Sequence, residues 1–164
     1  MSTLCPVCNI KTIESIGNVG SSILIARGEP STDDIKYNKL FYDLEEKILR
    51  GELSRVGIVL DSCRLTTLWN HKAPKKPTDE QFSWHLSQFM GELEQAKYLL
   101  FMGNILSNAF VGSNISHVEG LELDIPILGR TASFASLPDN KMKGNIGEFR
   151  LAIEKFGERI RYNG

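Results

Sequence analysis

Apolar and polar positions follow two rhythms along this chain: short unbroken apolar runs, and longer stripes with helical spacing. The run Ser22-Ile23-Leu24-Ile25-Ala26 predicts a buried strand, and the turn formers from Arg27 to Asp34 predict a loop after it. Tyr37, Leu40, Phe41, Leu44 and Ile48 share one helical face. Arg55-Val56-Gly57-Ile58-Val59-Leu60 predicts a second strand, and the stretch from Cys63 to Pro77 a long polar loop. Thr78 with Gln81 forms a capping box, and Asp79 and Glu80 suit the positive helix start that follows. Phe82, Leu86, Phe89 and Leu93 give that helix its apolar stripe. Lys97 to Met102 predicts a third strand, Asn104 to Val111 a short helix, and Pro126-Ile127-Leu128 a short fourth strand. Ile146, Phe149, Ile153, Phe156 and Ile160 line one face of a last helix.

Strands alternating with helices predict an α/β fold: three αβα layers around a mostly parallel four-stranded sheet. The length of 164 residues suits one domain spanning 1–164, with its first twenty or so residues free to serve a metal site. Ligands of such sheets sit beyond the carboxyl ends of the strands, so the loops after the strands are expected to gather at one functional rim.

Charge narrows the choice of partners. Nineteen basic and twenty acidic residues give a net charge of -1, which excludes a polybasic protein that binds phosphate by bulk charge. No apolar run approaches the ~20 residues of a membrane helix. The N-terminus lacks the pattern of a signal peptide, so a cytoplasmic location and no membrane partner are expected. Three cysteines in such a chain argue against a disulfide scaffold.

The cysteines carry the first candidate chemistry. Cys5-Pro6-Val7-Cys8 is a C-x-x-C close to the chain start, with no strand before it as a redox motif requires. A metal needs two further soft ligands. Cys63, at the end of the expected second strand, and His85, at the edge of a buried helical stripe, could complete a four-coordinate site for zinc or an iron–sulfur cluster. His71 is an alternative fourth ligand, and His117 is less well placed.

The order of C-x-x-C, strand, G-E-P loop, strand, Cys, basic loop, P-T-x-E and a ligand seven residues after the Thr resembles the iron–sulfur branch of the uracil-DNA glycosylase superfamily, the thermostable and phage-polymerase-associated enzymes. Leu99 to Asn104 is similar to that family's strand ending in L-G. The resemblance covers nearly the whole chain and implies a uracil-DNA-glycosylase-like fold. It implies a [4Fe–4S] cluster on Cys5, Cys8, Cys63 and His85, with zinc as the fallback. It also implies a monomer that acts on DNA beside a polymerase or replication protein, in a bacterial or phage-infected cell.

The expected activity is hydrolysis of the N-glycosidic bond of a flipped uracil-like or modified pyrimidine, which needs a carboxylate near the sugar to position water and stabilise a cation. Glu29 is the leading carboxylate, in Arg27-Gly28-Glu29-Pro30-Ser31, with Asp33 or Asp34 as substitutes. Gly28, Pro30 and Phe41 match the base pocket, Phe41 where the family stacks a ring on the base. Two departures stand out. Val59 occupies the place of the family's uracil-reading Asn, which leaves Asp61 or Ser62 to read another base edge. Ser133 and Phe134 replace the family's histidine and proline, so a hydroxyl stands in for an imidazolium donor. Phe134 or Leu137 could serve as a wedge into DNA. Arg64, Lys72, Lys75 and Lys76, with Trp69 among them and no acid, form the expected DNA-contacting loop. The departures also allow a second reading: a catalytically silent iron–sulfur DNA-binding module.

Overall fold

The computed structural model describes residues 3–137 and 146–163. Its centre is a six-stranded mixed sheet in the order β1-β3-β2-β4-β6-β5. The strands are β1 (Ile16–Gly17), β2 (Ile23–Arg27), β3 (Arg64–Thr67), β4 (Tyr98–Met102), β5 (Glu122–Ile125) and β6 (Arg130–Ala135). Neighbours β3, β2, β4 and β6 run parallel, and β1 and β5 are antiparallel edges. The α/β class expected from the sequence is present; the expected four strands are six.

Successive side chains of a strand point to opposite faces, and the sheet is covered on both. One core joins Ile25, Leu65 and Leu100 of the strands to Leu49 and Leu53 of helix α2 (Leu44–Arg55) and to Phe149, Ile153 and Phe156 of helix α6 (Ile146–Asn163). The other joins Leu24, Ala26, Phe101 and Phe134 to Phe89 and Leu93 of helix α3 (Asp79–Leu93). Helices α4 (Asn104–Phe110) and α5 (Ile115–Val118) complete that second face with Leu106 and Val118. No helix among the described residues is long and apolar enough to cross a membrane.

Three segments fold otherwise than their apolar pattern predicts. The shared face from Tyr37 to Ile48 is not one helix. Helix α1 (Thr32–Tyr37) stops at Asn38 with a left-handed backbone, and positive φ at Phe41 and Asp43 delays the start of α2. The expected strand at Arg55–Leu60 is a helix ending. Gly57 takes φ +82°, its N–H donates to Ser54, and the N–H of Ile58 donates to Leu53. That 6→1 and 5→2 pattern is a Schellman cap, so the apolar residue after glycine folds back on the helix instead of extending. The strand itself comes later, at Arg64–Thr67, where Thr66 and Thr67 gave the run a polar look. Pro126-Ile127-Leu128 is likewise a turn, closed by the N–H of Leu128 on the carbonyl of Ile125, and the strand follows it.

Chain order fixes where the loops go. β2 leads through α1 and α2, packed on one face, to β3; β3 leads through α3, packed on the other, to β4. The connections leaving the adjacent strands β2 and β3 therefore part to opposite sides, and at such a parting, beyond the carboxyl ends, open parallel sheets take their ligands.

Candidate metal centre and the loop beside it

Four side chains from three distant segments meet on the α3 face. Cys5 and Cys8 lie in an N-terminal hairpin closed by the Leu4–Lys11 bridge and by the Cys5 N–H donating to Ile10. Asn9 turns the hairpin with φ +58°, a left-handed conformation that asparagine tolerates. His71 follows β3, and His85 projects from α3, whose start is fixed by the Thr78–Gln81 capping box. One ligand atom from each of Cys5, Cys8, His71 and His85 lies within 4.8 Å of every other.

The geometry fits one ion. In a tetrahedral zinc site a thiolate sulfur and an imidazole nitrogen stand about 3.6 Å apart, given the usual bond lengths. The His85 Nε2 is 3.4 Å from the Cys5 Sγ and 3.8 Å from the Cys8 Sγ. The His71 Nδ1 lies 2.8 Å from the carbonyl oxygen of Lys72. An N–H there donates to that carbonyl and leaves Nε2 bare, the usual outer support of a metal-binding histidine. That Nε2 is buried and has no hydrogen-bond partner. Trp69 flanks the group, its ring centroid 4.5 Å from that of His85. Burial, then the nearby His71, pushes His85 down to about 4, so its ring is neutral and free to ligate at ordinary pH. Burial, then Cys5, pushes the Cys8 thiol up to about 11, so binding an ion there must displace a proton.

Cys63 does not belong to this group. It is fully buried in the opposite core, with its thiol 3.5 Å from the carbonyl of Val59. The reason is the shifted strand: Cys63 precedes β3, whereas the residue that reaches the metal face follows it. The sequence offered His71 only as an alternative. Its signal was the span of eight residues from Cys63, the length of a strand with its exit turn.

Glu29 stands just past the carboxyl end of β2. Gly28 and Glu29 leave β2, and the N–H groups of Leu68 and Trp69, leaving β3, donate to the carbonyls of Arg27 and Gly28. Gly28 admits no side chain, because a Cβ would fall 2.2 Å from that of Ile105 on α4. Pro30 beside it is buried. The Glu29 Oε2 lies 3.6 Å from the Lys72 Nζ, beyond hydrogen-bonding distance, and is buried with no hydrogen-bond partner. Lys72 directly follows His71, so the metal group roots the basic segment that reaches Glu29. Lys75 and Lys76 continue that segment and are exposed.

The other expected site residues are spread out. Asp33 is exposed in the first turn of α1, while Asp34 is buried and accepts from the N–H groups of Ser31 and Tyr42. Phe41 is fully buried beneath the Arg27 guanidinium, 5.3 Å from its ring centroid, so it offers no open face to a base. Asp61 is at the surface and pairs with Arg50 at 2.9 Å, and Val59 is exposed. Arg64 lies in β3 and makes a two-pronged pair with Glu92 at 3.0 and 3.1 Å rather than standing free in a loop. Ser133 is inside β6, where Arg159 donates to its hydroxyl at 2.7 Å. Phe134 is buried edge-on to Phe101 and cannot act as a wedge. Leu137 packs against Gly103. His117, in the last turn of α5, is outside the metal group.

Fold and site together define an α/β protein with a Cys/His group able to hold a metal ion. No family model and no curated protein matches the chain.

Proposed function

We propose that this chain is a zinc-stabilised DNA-binding protein with the layout of a uracil-DNA glycosylase. One observation carries the reading: Lys72, adjacent to the candidate ligand His71, comes within 3.6 Å of Glu29 beyond the carboxyl end of β2. A metal-rooted basic segment thus borders the place where open parallel sheets take their ligands. Lys72, Lys75 and Lys76 would neutralise phosphates. Two thiolates and two imidazoles in so small a volume favour a single zinc. A four-iron cluster gives each ligand its own iron and spreads the ligand atoms wider. The buried Phe41 and the surface position of Asp61 favour binding over base excision.

A hydrolytic reading rests on the Glu29 oxygen that lacks a hydrogen bond. With Lys72 drawn to a phosphate, that carboxylate would be free to orient water at the sugar of an extruded pyrimidine.

Metal analysis of the purified protein, DNA titration over a salt series and a nicking assay on oligonucleotides bearing uracil or modified pyrimidines test both. The binding reading expects one zinc per chain and affinity that falls steeply with salt. Lys75→Glu/Lys76→Glu should flatten that slope by about two, and Glu29→Ala should leave binding in place. Unchanged affinity in the double charge reversal overturns DNA binding by this segment. Iron and a brown colour overturn zinc. Strand nicking that Glu29→Ala abolishes establishes the hydrolytic reading.

A further inference from the structure

The turn between α1 and α2 carries a feature that neither the metal group nor Glu29 uses. Tyr37 and Tyr42 stack face to face, with ring centroids 4.1 Å apart and planes 11° from parallel. Tyr37 is 49% exposed, and Tyr162 is the one other exposed large aromatic ring among the described residues. Two lysines adjoin the pair. The Lys36 Nζ lies 5.2 Å from the Tyr37 ring centroid, and Lys39 is exposed and pairs with Glu46 at 3.2 Å.

The backbone that sets this stack is strained. Four non-glycine residues take positive φ among those described, and three of them, Asn38, Phe41 and Asp43, lie within this one turn. A bulky residue such as Phe41 in the left-handed region costs free energy, and such strain persists only where the surroundings enforce it. Here a buried network does so. The Asp34 carboxylate accepts from the Tyr42 N–H at 2.9 Å, and Arg27 lies between Asp34 at 3.6 Å and Glu45 at 2.7 Å. Arg27 also caps the Phe41 ring. Two independent observations thus meet: a stacked pair of rings of which Tyr37 is exposed, and a strained turn held by charges that are largely buried.

A pair of parallel aromatic rings ending in an exposed face is a ready continuation for a stack of bases. Lys36, and Lys39 on exchanging Glu46 for a phosphate, supply the charge that a phosphodiester backbone requires. A duplex keeps its bases paired inside and offers no such face, whereas a single strand does. Lys36 over the ring is flexible and exposed, and a base stacking there would displace it towards a phosphate. We propose that Tyr37 and Tyr42 form a platform on which an unpaired nucleobase of single-stranded nucleic acid stacks, with Lys36 and Lys39 contacting the flanking phosphates. The platform rests on the nucleic-acid reading above and sharpens it to an unpaired strand.

The test compares fluorescence-anisotropy titrations of a labelled oligothymidylate, an oligouridylate and a mixed-sequence DNA duplex. The proteins are wild type, Tyr37→Ala, Tyr37→Phe and Lys75→Glu/Lys76→Glu. Tyr37→Ala should weaken single-strand binding about tenfold and leave duplex binding within about twofold, while Tyr37→Phe keeps wild-type affinity because it keeps the ring. Tyr37 is exposed, so the alanine variant should keep the wild-type unfolding midpoint, which is measured alongside. Loss on both oligonucleotides identifies stacking indifferent to the 2′-hydroxyl and the base methyl group; loss on one names the preferred strand. Equal affinity of wild type and Tyr37→Ala for both single strands, with the lysine reversals still harmful, overturns the platform and leaves DNA binding standing. If the lysine reversals are harmless as well, both readings fall.

Discussion

The carboxyl rim of the sheet is held from its two faces by unlike means. On the α3 face, Cys5, Cys8, His71 and His85 gather from segments up to 80 residues apart, with soft ligand atoms and no charged partner among them. On the α2 face, Arg27, Asp34 and Glu45 hold the α1–α2 turn within a span of 18 residues, by charge and hydrogen bonds alone. The first tether needs an ion; the second is complete in the polypeptide. The two halves of the rim should therefore respond separately to metal and to mutation.

The strongest test of that contrast is to take the ion away. An ion present at a thousand times its dissociation constant stabilises the fold by about 4 kcal/mol, which corresponds to roughly 10 °C of Tm at this chain length. Cys5→Ser or His85→Ala should forfeit most of it, read by calorimetry with metal stoichiometry alongside. A result in which either variant keeps a full equivalent of metal and the wild-type Tm would remove the site.

Next in size is the other tether. Arg27→Met leaves the buried Asp34 and the partly buried Glu45 without their cation and should cost about 3 kcal/mol in urea unfolding, with metal content unchanged. Burial already raises the Glu45 carboxyl above its ordinary range despite Arg27, so removing the guanidinium should push it higher still.

Acid separates the tethers further. His85 has its folded value lowered from 6.5 to about 4, so the unfolded chain takes up a proton that the folded chain refuses. Metal-free protein should lose stability as pH falls from 6.5 towards 4, and His85→Gln should remove that slope. In the holoprotein, binding must displace the Cys8 proton. Apparent metal affinity should therefore rise between pH 6 and 8 by at least about tenfold per unit, with proton release visible in buffers of different ionisation heat.

The smallest effect belongs to the cysteine outside the group. Cys63→Ala removes a buried thiol from the opposite core and should cost about 1 kcal/mol while one metal per chain remains. Loss of metal in that variant would contradict the ligand set.

These tests also mark what could be read from the chain. Long periodic stripes announced α3 and α6, and the apolar runs of β2 and β4 were plain, because burial on both faces of a parallel strand leaves no polar position. The run at Val56–Leu60 misled because a Schellman cap places an apolar residue just after glycine, as a strand start would. That error moved β3, and with it the ligand after the strand. Cys63 then seemed to end a strand that it in fact precedes, and His71 was relegated. Glu29 stands out in the sequence through the place of its Gly-Glu-Pro loop in the family layout. Its approach to Lys72 was invisible, since 43 positions separate them and only the sheet order brings them together. The break at Phe41 also had no local signal: no rule of propensity puts a phenylalanine in the left-handed region, and only the buried Arg27 network accounts for it.

The spread of the metal ligands has a consequence for synthesis. A ribosome delivers Cys5 and Cys8 before either histidine, so at that stage an ion could be gripped by only two thiols. His85 emerges 77 positions after Cys8, when β2 and β3 are already made. An ion captured early would hold the amino terminus in wait, and the last imidazole would fasten it to α3 once that helix leaves the tunnel.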